Sequence, residues 1–374
     1  LFIFVIYYGK QNITQNDIDA VVEVLQSNFL TQGPKLVEFE DELKKYCNVK
    51  YVKAVSNATS ALHIAYLAIG VGKGDLVWTS PNTFVSTANA ALYCGAKIDF
   101  VDIDPETFNM SVQHLEEMLI KAKKNNKLPK LVVPVHFSGQ SCDMKKIWAL
   151  SQEYGFKVIE DASHALGGKY LNKQVGSCEY SHMAIFSFHP VKMITTGEGG
   201  AITTNDQELD YRLSLLRTHG ITKEASKFIN VSHGAWYYEQ HALGINYRLT
   251  DIQAALGLSQ LKRLDSFIKR RKEIADFYLN NLKNVSLPYQ HPDIQSSWHL
   301  FVVQVSDREE VFNKLLKRGV QTQVHYIPVN NQPFYNYKKL ENTENFYKNC
   351  LSLPIYYDLK DDECAMVVES FNND

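Results

Sequence analysis

The chain lacks most of the features that would place it in a special class. It has only six cysteines in 374 residues, and Cys47, Cys94, Cys142, Cys178, Cys350 and Cys364 form no CxxC pair and no metal-ligand spacing. Scattered thiols argue against a disulfide framework and fit a reducing compartment, so a cytoplasmic location and no metal centre are expected. Charge of one sign is missing too. The 39 Lys and Arg against 41 Asp and Glu leave a net charge of -2, with no footprint for nucleic acid or an anionic membrane surface. No hydrophobic run is long enough to span a bilayer. The opening Leu1-Phe2-Ile3-Phe4-Val5-Ile6 is apolar, but it is short and has no basic flank, so it reads as an edge strand or a leader before the domain proper and not as a signal peptide. Repeats, low-complexity tracts and long linkers are absent. No strand is followed by G-x-G-x-x-G with an acid about 20 residues on, which weighs against a dinucleotide-binding oxidoreductase.

What is there is ordinary globular composition, 45% hydrophobic and 21% charged, in a chain long enough for a large core and two domains. Helical periodicity runs over 15–27, 35–47, 60–69, 84–93 and 142–154. Strand-like runs alternate with it at 50–55, 76–79, 98–101, 130–136 and 157–160, and two more, Ala184-Ile185-Phe186 and Ala201-Ile202-Thr203-Thr204, follow. Strand and helix alternating at this pace predict parallel pairing and an α/β layer architecture. Residues 167–176 read as a small hairpin, and apolar spacing predicts long helices over 251–277. Mixed elements follow, with a strand candidate at 298–305. The change of pattern near Leu249 to Leu264 divides the chain into 8–250 and 251–374. Residues 216–244 are the one long stretch without clear periodicity, and within them 221–241 match no motif; a loop that long is usually functional or mobile.

One stretch poses a chemical question. In Ser187-Phe188-His189-Pro190-Val191-Lys192-Met193-Ile194-Thr195-Thr196-Gly197-Glu198-Gly199-Gly200 a lysine sits between two apolar strands. A buried ammonium is costly unless it is paired or made neutral. Lys192 is therefore either a snorkelling edge residue or a lysine with a chemical task. Four further features bear on the choice, and each has a bland alternative. Asp161, in Val158-Ile159-Glu160-Asp161-Ala162-Ser163-His164, falls where a buried strand should end and so at the ligand crevice of a parallel sheet; taken alone it reads rather as a helix N-cap. In Ser56-Asn57-Ala58-Thr59-Ser60-Ala61-Leu62 a strand end turns into an Ala-rich helix. Its N–H groups, with a Thr59 or Ser60 hydroxyl, can seat a phosphate; simple capping is the alternative. Ser187 ends the strand before Lys192, or is merely a buried serine bonded to backbone. Asn246 and Arg248, in Gly244-Ile245-Asn246-Tyr247-Arg248-Leu249-Thr250-Asp251, open a helix or are a capped start with a surface arginine. Together these residues describe one object: a phosphate seat, a carboxylate and a lysine on the crevice side of one sheet. Those are the demands of pyridoxal 5′-phosphate, whose phosphate needs donors, whose ring nitrogen needs a carboxylate and whose aldehyde needs an amine.

At this point the chain resembles the fold-type-I, pyridoxal-phosphate-dependent nucleotide-sugar aminotransferases, the DegT-like family. The match runs from Tyr8-Gly9-Lys10-Gln11 to Leu351-Ser352-Leu353-Pro354. Its marks are SNATSAL at 56–62, SPNTFVSTANAAL at 80–92, EDASHALGG at 160–168, FSFHPVKMITTGEGG at 186–200, GINYRLTDIQAALG at 244–257 and VHYIP at 324–328. The resemblance implies a large domain, 8–250, holding a mainly parallel seven-stranded sheet between helices, and a smaller α+β domain, 251–374. It implies that Lys192 bonds the cofactor and relays protons, that Asp161 partners the ring nitrogen and that His164 reaches the phenolic oxygen. Phe84 is implied to stack on the ring, and Ala58, Thr59 and Ser187 to contact the phosphate. Asn246 and Arg248 are implied to serve the site of a second subunit, the one as a phosphate ligand and the other at the carboxylate of the amino donor, hence a homodimer with shared sites. Tyr8, Gln32, His325 and Tyr326 lie in segments that face the sugar nucleotide in the family. Members that dehydrate carry histidine where this chain keeps Lys192, so the lysine favours transamination.

Within the family, HFSGQSCDM at 136–144 together with EDASHALGG and FSFHPVK looks most like the PseC-type subgroup. That subgroup aminates C4 of a UDP-linked 4-keto-6-deoxy-N-acetylhexosamine, with glutamate as donor, on a pseudaminic acid-type route. Action at C3, a dTDP or GDP sugar, or a non-catalytic cofactor-binding module are the alternatives.

Overall fold

The protein is described by a computed structural model covering residues 5–373. Leu1 to Phe4, the first part of the apolar opening, lie outside the described residues. Its last residue, Ile6, is fully buried, donates its N–H to the Gly319 carbonyl at 2.8 Å and bridges Val320 in parallel. That is the edge pairing expected of an apolar opening.

Seven strands make the central sheet: β1 (Tyr51–Val55), β2 (Leu76–Thr79), β3 (Lys97–Phe100), β4 (Leu131–Val133), β5 (Lys157–Asp161), β6 (Met183–Ser187) and β7 (Gly200–Thr204). Their spatial order is β1-β7-β6-β5-β4-β2-β3. The helices α1 (Gln15–Leu25), α2 (Pro34–Cys47), α3 (Ala58–Ile69), α4 (Val85–Tyr93), α5 (Val112–Lys124), α6 (Met144–Tyr154) and α7 (Gln207–Arg217) surround it. The pairings β6-β5, β5-β4, β4-β2 and β2-β3 are parallel, whereas β7 runs antiparallel to both β1 and β6. The expected parallel sheet is therefore right except at β7. The segment 188–199 that carries Lys192 contains no crossover helix, so the chain can only turn back beside the strand it has just left.

Burial on both faces explains the apolar strands. Ala184 and Phe186 of β6 join Phe39, Leu249 and Ala254 in one core, while Met183 and Ile185 join Ile64, Ile202 and Leu213 in another. This period-two split puts a helix layer on each side of the sheet. Local signals set the helix ends. Asn57 caps α3 by accepting the Ser60 N–H, and Gly70, at φ 85°, ends it in the left-handed region where glycine is unstrained.

The C-terminal part holds α8 (Asp251–Leu261), α9 (Leu264–Asn281), β8 (Phe301–Gln304), α10 (Arg308–Lys317), α11 (Glu341–Asn349), β9 (Cys350–Leu353) and α12 (Asp361–Asn372). β8 and β9 pair antiparallel, and Ile274, Tyr278, Phe301, Val303, Leu351 and Val367 form their own core with Ile6. The strand expected over 298–305 is thus shorter, and residues 298–300 are freed to approach the sheet. The hairpin expected at 167–176 is present as Lys169–Tyr170 against Lys173–Gln174. Residues 221–241 fold as a two-rung hairpin in which the Glu239 carboxylate accepts the N–H groups of Ile229 and Asn230 and the Tyr237 hydroxyl. All six cysteines are free thiols. Among the described residues no helix is long and apolar enough to cross a membrane.

Candidate active site

Lys192 sits in the turn-back between β6 and β7. The turn is closed by Phe188 N–H to the Gly199 carbonyl, Lys192 N–H to the His189 carbonyl and Thr196 N–H to the Phe188 carbonyl, at 2.9 to 3.0 Å. Gly200 lets β7 run against the start of α3, because a Cβ there would stand 2.7 Å from the Ala58 nitrogen. The closeness brings the lysine loop and the helix start to one place. Burial lowers the Lys192 amine from its usual value to about 8, against the opposing pull of the Asp161 charge.

Asp161 ends β5 and is 4% exposed. The Thr87 hydroxyl donates to its Oδ2 at 2.7 Å, and Thr83 and Thr87 share a further hydrogen bond of 2.8 Å. No helix begins at residues 162–168, so the N-cap alternative is excluded. His164 receives the Ser138 N–H at Nδ1, 3.2 Å away, which puts the ring proton on Nε2. That Nε2–H faces the Tyr326 hydroxyl oxygen at 2.8 Å. Tyr326 therefore keeps its own proton free to donate. Burial, with Lys192 and His325 adding to it, pushes the His164 pKa well below the usual value and holds the ring neutral.

These groups line one cavity of about 1190 Å³, larger than the 300–1,000 Å³ typical of a single small-ligand pocket. Ala58, Thr59, Phe84, Asp161, His164, Ser187 and Lys192 all lie on its wall, as do Tyr8, His325 and Tyr326. The first N–H groups of a helix have no intrahelical acceptor, so Ala58 and Thr59 offer an anion seat. Phe84 is 59% exposed and faces Tyr326 at 6.4 Å between ring centres. His325 bonds Ser352 through Nδ1 at 2.8 Å, and burial lowers its pKa to about 3, so a neutral Nε2 is left for a ligand.

Gln32, Asn246 and Arg248 do not join them in this chain's cavity. Gln32 is exposed next to Thr31, which bridges Thr250; Asn246 is exposed and bridges Thr218, and Arg248 is half-buried and bridges Val55. Between the last two, Tyr247 lines the cavity and bonds His63 Nδ1 at 3.2 Å. In an extended segment, neighbouring side chains point opposite ways. Sequence reasoning missed Tyr247, Thr87 and His299. Thr87 could have been found, lying one helical turn after Thr83 in the quoted 80–92 motif. His299, whose Nε2 is 3.5 Å from the Lys192 Nζ, is a single histidine in a strand-like run and carries no signal.

Comparison with known proteins fits this geometry. Residues 11–372 match the DegT/DnrJ/EryC1/StrS aminotransferase family. The spore coat polysaccharide biosynthesis protein SpsC of Bacillus subtilis (strain 168) is 40% identical, covering 97% of this chain and 95% of its own. The UDP-4-amino-4,6-dideoxy-N-acetyl-beta-L-altrosamine transaminase of Campylobacter jejuni (serotype O:23/36, strain 81-176) is 41% identical over 95% of this chain and 93% of its own. Among solved structures, Helicobacter pylori PseC, an aminotransferase involved in the biosynthesis of pseudoaminic acid, superposes with a TM-score of 0.90 at 32% identity and 98% coverage of both chains. The PLP form of a putative sugar aminotransferase, Spr1654 from Streptococcus pneumoniae, gives 0.88 at 27% identity, covering 99% of this chain and 98% of its own.

The residues present suit pyridoxal 5′-phosphate. A buried carboxylate held by a threonine donor, an amine whose ammonium form is disfavoured and an open helix start face one another across one cavity. Matched almost from end to end by its family and carrying that donor set, the chain belongs to the DegT/DnrJ/EryC1/StrS aminotransferases and is a pyridoxal-phosphate-dependent sugar aminotransferase.

Proposed function

We infer that this enzyme moves an amino group from glutamate to C4 of a UDP-linked 4-keto-6-deoxy-N-acetylhexosamine, in a pseudaminic acid-type pathway. The observation that carries this reading is the intact Lys192 facing a cavity roomy enough for a cofactor and a sugar together. The Campylobacter relative, named a transaminase of UDP-4-amino-4,6-dideoxy-N-acetyl-beta-L-altrosamine, supports the choice of sugar.

In this reading the bound cofactor supplies an electron sink for charge developing at the carbon beside the nitrogen. Lys192 holds the cofactor and, once released, carries the proton to and from that carbon with its Nζ. An amine titrating near neutrality suits both directions. Asp161 would hold and orient the ring through its nitrogen. The helix start at Ala58 and Thr59, with Ser187, seats the phosphate, and Phe84 covers the ring face. His164, expected to reach the phenolic oxygen itself, has both ring nitrogens engaged by Ser138 and Tyr326, so in this reading it orients the Tyr326 hydroxyl, which can donate to an oxygen of the ligands. Tyr8, His325 and Tyr326 face the sugar nucleotide, whereas Gln32, outside this chain's cavity, takes no part in it. Asn246 and Arg248 serve the site of a second copy, the former at the phosphate and the latter at the glutamate carboxylate. The homodimer is part of the proposal. It is supported by large apolar side chains left exposed: Phe29, Leu30, Ile229, Val231 and Trp236. The division into 8–250 and 251–374 belongs to the same reading.

Incubation of the pure enzyme with glutamate and a panel of UDP, dTDP and GDP 4-keto sugars tests it. The expected result is 2-oxoglutarate formed in step with a C4 amine on the UDP-linked N-acetylhexosamine, located by NMR. Preferred transfer to another nucleotide, or an amine at C3, overturns the assignment of the acceptor.

A further inference from the structure

His299 precedes β8 and is 4% exposed. Its segment is pinned from two sides. Ser297 N–H bonds the Gly139 carbonyl at 3.1 Å, the Ser297 hydroxyl bonds the His164 carbonyl at 2.7 Å, and Leu300 N–H bonds the Ser138 carbonyl at 3.3 Å. From α9 the buried Arg271 guanidinium donates to the carbonyls of Trp298 and His299 at 3.2 Å and of Ile355 at 2.8 Å. The imidazole lies against His164, with ring centres 4.4 Å apart, and presents Nε2 to the Lys192 Nζ at 3.5 Å. Its Nδ1 is buried without a partner among the described residues.

Resting on the reading of Lys192 as the reactive amine, we propose that His299 is a positioning residue that accepts a hydrogen bond from the Lys192 ammonium through Nε2 whenever that amine is free. An ammonium can only donate, so Nε2 carries the lone pair and the ring proton sits on Nδ1. His299 is not a proton store. Burial disfavours its charged form, and so do the nearby Lys192, His164, Arg271 and His325. Around the amine stand one acceptor, His299, the Asp161 charge, the imidazoles of His164, His325 and His189, whose charged forms burial disfavours, and Arg271 behind His299.

A purely structural role would not need an imidazole here. Arg271 grips backbone carbonyls, so its contacts are independent of the side chain at 299. An apolar residue would fill the space without burying an unpartnered ring N–H, a group that proteins rarely leave unpaired. What only an acceptor at this place can do is steady the ammonium against burial and aim the Nζ. Without it the amine sheds its proton at lower pH and returns to the reacting carbon less well aligned.

The test compares His299→Leu, which removes the acceptor, with His299→Gln, which keeps an amide oxygen; His299→Met is a second acceptor-free variant should leucine not fold. In the cofactor-free enzyme, Lys192 acylation by acetic anhydride is followed against pH by mass spectrometry of its peptide. The midpoint should fall by about one pH unit in the leucine or methionine variant, as loss of one hydrogen bond to a charged group implies, and return toward wild type in the glutamine variant. In the holoenzyme the glutamate half-reaction should slow about tenfold in the acceptor-free variants with little change in glutamate affinity. An unchanged or raised midpoint, or glutamine behaving as leucine does, overturns the proposal. Failure of the underlying reading looks different: borohydride would then fix the cofactor to a lysine other than Lys192, whatever His299 does to the acylation profile.

Discussion

Replacing Lys192 by methionine should abolish transamination and yet make the cofactor-free protein more stable. The folded amine titrates at about 8 against a usual 10.5, mainly because burial disfavours the ammonium. Below pH 8 the unfolded chain gains from solvating a charge that the folded chain must bury. The difference of 2.5 units corresponds to about 3.5 kcal/mol at about 1.4 kcal/mol per unit. Lys192 is partly open to the cavity, where water screens it, so a gain of about 1–3 kcal/mol is expected on replacement by an unbranched apolar side chain. The sign reverses the usual case of a paired group. Because the folded pKa is the lower one, the unfolded state binds more protons between pH 8 and 10.5, and wild-type stability rises across that window. The advantage of Lys192→Met should thus be full at pH 7 and gone above pH 10.5. Denaturant unfolding of both cofactor-free proteins at pH 7, 9 and 10.5 measures it. A mutant no more stable at pH 7, or an advantage at pH 10.5 as large as at pH 7, would refute the claim that the buried ammonium is held at a cost.

Asp161→Asn should slow the glutamate half-reaction by several orders of magnitude while the cofactor still binds, since the amide keeps the shape but loses the charge that holds the ring nitrogen protonated; stopped-flow spectra give the rate, and a loss under tenfold would remove Asp161 from that role. His325→Ala should impair only the sugar half-reaction, because its Nδ1 is engaged by Ser352 and its Nε2 is left for the acceptor; equal losses in both halves would place it in the cofactor site or the core. Mixing Lys192→Ala with Arg248→Ala should restore a fraction of activity through one intact site per mixed dimer. No recovery when mass spectrometry shows that mixed dimers form would mean that each site is built from one chain.

The parts of the site that were legible in the sequence are those whose chemistry is anomalous where they stand. A lysine between apolar runs, an acid at a strand end and small hydroxyl residues at a helix start each conflict with, or add to, what local structure requires. Their order along the chain then carried the family resemblance. Illegible were the residues whose role is decided by a neighbour distant in the chain. Thr87 matters through Asp161, 74 residues away, and His299 through Lys192, 107 residues away.

The sequence by itself determined the alternation of strands and helices, the candidate groups that line the cavity and the family, because periodicity, capping and residue chemistry are local properties. Only the tertiary structure decided that β7 runs back antiparallel, that Tyr247 and not Asn246 or Arg248 faces this chain's own cavity, and that Ser138 sets the His164 tautomer. Strand direction depends on what connects two strands, the facing of a side chain on which edge its segment lies against, and a tautomer on a donor brought up by another loop. Each is a relation between segments, and it exists only once the chain has folded.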